Sequence, residues 1–114
     1  MLTIYHNPRC SKSRETLKLI EAAGQEPEVI LYLDNPPTAG ELSELLQKLG
    51  ISARDLLRKG EEAYKQNDLK NPDLTDAQLI DFMVQFPKLI ERPIVVKGTK
   101  AVLGRPPENV NSLL

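Results

Sequence analysis

Residues 2–33 read LTIYHNPRCSKSRETLKLIEAAGQEPEVILYL, and this stretch decides the fold. Leu2-Thr3-Ile4-Tyr5-His6 alternates apolar and polar residues and stops at Asn7-Pro8, as a short strand does when it runs into a turn. From Arg9 to Gly24, the apolar residues Leu17, Leu19, Ile20 and Ala23 recur at helical spacing. A helix is expected from about Cys10 or Ser11, with Ser11 or Ser13 as its cap and Gly24 just past its end. Glu28-Val29-Ile30-Leu31-Tyr32-Leu33 is nearly continuous in apolar character, which suits a strand buried on both faces, as in a parallel sheet. Strand, helix and strand in so short a length make a βαβ unit.

Working outward, Asn35-Pro36-Pro37 ends the unit. Thr38 with Glu41 has the form of a capping box, followed by the stripe Leu42, Leu45, Leu46 and Leu49 up to Gly50. Ser52 with Asp55 repeats the signal before Leu56-Leu57, and Thr75 with Gln78 repeats it before Leu79, Ile80, Phe82 and Met83. Pro87 ends or bends that last helix. Residues 38–90 are thus expected as short helices without a strand. Pro93-Ile94-Val95-Val96 and Ala101-Val102-Leu103 flank the turn Lys97-Gly98-Thr99-Lys100 as a hairpin, and Glu108 to Leu114 suits a short final helix with Pro107 in its first turn. The order β-α-β, helices, β-β-α is that of the thioredoxin-like α/β fold: a mixed four-stranded sheet with an inserted run of helices, in one domain spanning residues 1–114.

Composition narrows the function. The 114 residues carry 15 basic and 16 acidic side chains, a net charge of −1, which argues against a nucleic-acid coat. With 4% aromatic residues and no Trp, a base-stacking platform is not expected either. No apolar run approaches a membrane span, and Met1-Leu2-Thr3-Ile4-Tyr5 has no signal-peptide character. One cysteine, Cys10, and one histidine, His6, supply neither an internal disulfide nor a structural zinc site. A cytoplasmic, monomeric, metal-free protein with no bound cofactor is expected.

Cys10 is the sharpest chemical feature. It stands between a strand end and a helix start, where unpaired backbone N–H groups and the helix dipole favour a thiolate. Arg9, Lys12 and Arg14 add positive charge, and the polar neighbours suggest a solvent-facing side chain. The sulfur is then either an activated nucleophile or a buried structural cysteine. Cys10-Ser11-Lys12-Ser13 is C-x-x-S, so redox turnover needs an outside thiol. Arg58, Arg92 and Arg105 all lie at element ends, where guanidinium groups can take a tetrahedral oxyanion or simply pair with surface carboxylates. Arg92-Pro93, before the third strand, is the candidate cis bond. His6 either supports the cysteine loop by a hydrogen bond or merely closes the first strand.

Taken together, Tyr5-His6-Asn7-Pro8-Arg9-Cys10, Ser13-Arg14, Thr16-Leu17, Tyr32-Leu33, Pro36-Pro37-Thr38, Leu56-Leu57-Arg58-Lys59, Leu79-Ile80-Asp81-Phe82-Met83, Glu91-Arg92-Pro93-Ile94-Val95-Val96 and Arg105-Pro106 resemble the glutaredoxin-dependent arsenate reductases, in their short branch. The resemblance implies that Cys10 attacks arsenate to form a cysteine thioarsenate. Glutathione then displaces it, glutaredoxin completes the reduction and arsenite leaves. It implies that His6 assists the cysteine and that Arg58, Arg92 and Arg105 bind the oxyanion. The chain departs from studied members by having Ser11-Lys12 where they have Gly-Thr. Two alternatives share the fold: a monothiol glutaredoxin-like oxidoreductase, and an Spx-type regulator that binds RNA polymerase and usually carries C-x-x-C.

Overall fold

The computed structural model describes all residues from Met1 to Leu114. They gather into two compact units, Met1–Asn35 with Arg92–Leu114, and Pro36–Glu91.

The first unit contains strands β1 (Leu2–His6), β2 (Glu28–Leu31), β3 (Ile94–Lys97) and β4 (Lys100–Leu103), helix α1 (Ser11–Ala22) and a 3₁₀ segment at Pro107–Leu113. The sheet order is β2-β1-β3-β4. β1 and β2 are parallel, while β1/β3 and β3/β4 are antiparallel, so the sheet is mixed and the fold thioredoxin-like, as expected. Gly98, at φ +61°, makes the tight β3–β4 turn with Thr99. α1 and the 3₁₀ segment pack together, and the core joins Leu2, Ile4, Ile20, Val95, Val110 and Leu113. Each such side chain contributes about 1.5–3 kcal/mol when fully buried.

The register sets the site. Tyr5 pairs with Ile94, His6 with Leu31, and Ile94 with Leu103. The chain segments that follow β1, β2 and β4, and the one that precedes β3, therefore all leave the same end of the sheet. Asn7–Cys10, Tyr32–Asp34, Gly104–Arg105 and Arg92–Pro93 are gathered there by hydrogen-bond pairing alone.

One expectation is corrected. β2 is not buried on both faces: Val29 is 44% exposed and Leu31 38%, and the strand ends at Leu31. β2 is the edge strand, with β1 as its single neighbour. An unbroken apolar run records hydrophobicity but not position within the sheet. The final helix is a 3₁₀ segment, with Pro107 in its first turn as expected.

The second unit holds α2 (Ala39–Leu49), α3 (Ala53–Leu56), α4 (Glu62–Gln66), α5 (Asp76–Gln85) and a 3₁₀ turn at Pro87–Leu89. Both capping boxes form, Thr38 with Glu41 and Thr75 with Gln78. α2 and α3 pack on α5, burying Leu42, Leu45, Leu56, Leu79 and Met83. Arg54 donates to the carbonyls of Leu69 and Asn71 at 2.8 and 2.9 Å, tying the segment after α4 to α3. No helix is long and apolar enough to cross a membrane.

Candidate active site

The loop between β1 and α1 is a tight, self-bonded turn. The Asn7 side-chain oxygen accepts from the Arg9 N–H at 3.0 Å, and the Asn7 carbonyl accepts from the Cys10 N–H at 3.0 Å. The Arg14 guanidinium reaches back to donate to the Pro8 carbonyl at 2.9 Å. Cys10 itself is the N-cap residue of α1, in extended conformation, and no side chain caps the helix. No acidic residue occupies the first turn, so the positive end of the helix dipole is uncompensated at the cysteine.

Two expectations change here. Cys10 is 7% exposed and so buried, not solvent-facing. Neither Ser11 nor Ser13 caps α1. The hydroxyl of Ser13, fully buried, instead sits 2.6 Å from His6 Nδ1 and accepts from the Asn7 N–H at 3.0 Å. Ser13 thus joins the end of β1 to the start of α1 across the cysteine turn. Burial, and secondarily the charge of Arg14, push the His6 pKa below its ordinary value and favour the neutral ring. His6 is thus hydrogen-bonded to Ser13, whose hydroxyl also holds the Asn7 N–H of the cysteine turn, and its neutral form is favoured.

Arg92 and Arg105 come to the same sheet end. The Arg92-Pro93 peptide is cis, as anticipated, and so is Arg105-Pro106, which the residue pattern did not signal. Arg92 is partly buried, with its Nε and Nη1 inaccessible to solvent. Arg105 is exposed, and its Nη1 donates to the Arg92 carbonyl at 3.4 Å. Gly104, between β4 and Arg105, makes this approach possible. Its N–H donates to the Pro93 carbonyl at 2.9 Å, and a Cβ there would collide with the Thr16 hydroxyl and lie 2.7 Å from Pro93 Cγ. Thr16 is fully buried on α1, donates to the Lys12 carbonyl at 2.8 Å and stands 3.5 Å from the Gly104 carbonyl. Arg58 belongs to the second unit, just after α3. It pairs with Glu61 at 3.1 Å and Glu91 at 3.6 Å, and its N–H donates to the Leu89 carbonyl.

Ser13, Thr16 and Gly104 escaped residue reading as parts of this region. Only Gly104 carried a signal, a glycine between a strand and Arg-Pro. No group of three or more His, Cys, Asp or Glu side chains gathers where a metal ion would be held.

A family model described as the ArsC family matches residues 5–113. The chain belongs to the ArsC family. An arsenate reductase of Escherichia coli is 53% identical over 113 residues, covering 99% of this chain and 80% of that protein. The protein YfgD of Escherichia coli K12, uncharacterised, is 56% identical over 108 residues, covering 94% of this chain and 91% of its own length. The solved structure of an arsenate reductase from Vibrio cholerae superposes with a TM-score of 0.97 at 50% identity, covering 99% of this chain and 97% of that one. The ArsC match spans every candidate residue, His6, Cys10, Arg58, Arg92 and Arg105.

Proposed function

We propose that this ArsC-family protein is an arsenate reductase acting in the cytoplasm, as a monomeric single domain without a bound cofactor, with glutathione and glutaredoxin as external reductants. Cys10 is the nucleophile. Its sulfur attacks arsenic, an S–As bond forms, and one arsenate oxygen leaves as water. Glutathione displaces the cysteine adduct, and a glutaredoxin thiol completes the two-electron reduction. Arsenite is released with a glutathione–glutaredoxin mixed disulfide, so one arsenate and two thiols yield one arsenite, one disulfide and one water.

The uncapped N-terminus of α1 and the guanidinium groups of Arg92 and Arg105 stabilise the oxyanion, since donors aimed at developing charge lower the barrier most in a site shielded from water. Arg58 takes the third guanidinium role on the family resemblance. His6 steadies the cysteine turn. Arsenate and phosphate share charge and shape, so phosphate competes.

The observation that supports this reading best is the convergence at one sheet end: a lone cysteine at an uncapped helix start, with two arginines on the neighbouring strand ends. A single sulfur also requires the outside thiol. The test is arsenite release in the complete system and with each component omitted. Dependence on both glutathione and glutaredoxin is expected. Arsenite release that ignores glutaredoxin, or reduction of a glutathionylated substrate with no arsenate turnover, contradicts the proposal.

A further inference from the structure

The sheet order separates the surroundings of the cysteine turn into two sides of different chemistry. On the β3–β4 side stand Arg92 and Arg105, both cationic. On the β2 side is a groove of about 350 Å³ lined by His6, Asn7, Pro8, Arg9, Leu31, Leu33 and Asp34. Its charges are mixed: Arg9 comes from the turn that leads directly into Cys10, and Asp34 from the turn after β2. Both are exposed, and they pair neither with each other nor with another side chain. Leu31 and Leu33, 38% and 36% exposed, give the groove apolar surface.

We infer that this groove binds the thiol co-substrate: a small zwitterionic peptide thiol, its carboxylate toward Arg9, its ammonium toward Asp34 and its apolar backbone against Leu31 and Leu33. The inference rests on the reductase reading. The volume falls in the range of small-ligand pockets. Two opposite charges left without partners in one groove complement a zwitterion and not an oxyanion. The chain has one sulfur, so the adduct on Cys10 is resolved by a thiol from outside, and that thiol needs a seat beside the turn. The cationic side is taken by the oxyanion, which leaves the β2 side for the second substrate.

The first test is independent of turnover. Cys10→Ser protein is titrated with S-methylglutathione while backbone amide shifts are followed. Saturable shifts at Asn7, Arg9 and residues 31–34 are expected. Shifts confined to Arg92 and Arg105, or no saturable shifts, overturn the inference. The second test is kinetic, in Asp34→Lys and Leu33→Ser. The KM for glutathione rises about threefold to tenfold, the scale of one lost charged contact, while half-saturation by arsenate is unchanged. An unchanged glutathione KM in both variants removes the groove alone. A changed half-saturation for glutaredoxin, with that for glutathione unchanged, assigns the surface to the protein partner and overturns the inference. Failure of the wild type to release arsenite sinks the parent reading, while the shift titration still decides whether the thiol binds here.

Discussion

Gly104→Ala perturbs the contact on which the Arg105 position depends. The added methyl would meet the Thr16 hydroxyl, Pro93 Cγ at 2.7 Å and Thr16 Cγ2 at 3.1 Å. Thr16 is fully buried and Pro93 is buried, so neither neighbour can swing into solvent. Overpacking of this kind costs about 1–3 kcal/mol. Displacing the Thr16 hydroxyl from the Lys12 carbonyl adds about 0.5–1.5 kcal/mol. A total of about 1.5–4.5 kcal/mol follows from these ranges. For 114 residues, an unfolding entropy of about 2 cal/mol/K per residue converts each kcal/mol into roughly 4 °C. Thermal unfolding should then show a Tm lower by about 6–18 °C. Arg105 moves with the backbone, so kcat/KM for arsenate falls as well. In the double variant with Thr16→Ala, space opens on one side and part of the loss is recovered, a coupling that a mutant cycle reads directly. A Tm within about 2 °C of wild type, with no coupling, would refute the steric argument.

Three further outcomes are expected. Arg92→Ala lowers kcat/KM for arsenate by roughly 10²–10³-fold, the effect of one lost oxyanion donor, and an unchanged value removes Arg92 from the site. Ser13→Ala leaves His6 Nδ1 and the Asn7 N–H without their shared partner, so urea unfolding should show a loss of about 1–3 kcal/mol; a loss under about 0.5 kcal/mol rejects the hub. The folded-state pKa of His6 lies below 6.5, so the unfolded chain binds more protons just under that pH. Its contribution to stability is full above pH 6.5 and is lost as pH falls toward the lowered value, and urea titrations of wild type against His6→Gln should diverge with that sign; the opposite sign rejects a buried neutral ring.

Local signals carried the fold far. Alternation in Leu2–His6, the capping residues Thr38 and Thr75 and the hairpin at Gly98 each encode structure within a few residues, and each formed as read. The burial of β2 was misread because edge and centre of a sheet are set by partners distant in sequence. The same limit applied at Ser13. Beside a helix start, a serine offers a cap, and only the fold brings His6 and Asn7 to its hydroxyl. Cys10 was recognisable as a residue at a helix start, but its polar sequence neighbours did not show that its side chain would be buried. Thr16 and Gly104, 88 residues apart, meet across the packed unit, and nothing local announces such a contact.

The chemistry turns on one sulfur, and replacing its atom tests it most directly. Arsenite release is measured with glutathione and glutaredoxin in excess, for the wild type and for Cys10→Ser. The structure predicts steady release by the first and background release by the second, with both proteins melting at similar temperatures. Equal release by the two would contradict nucleophilic attack by Cys10.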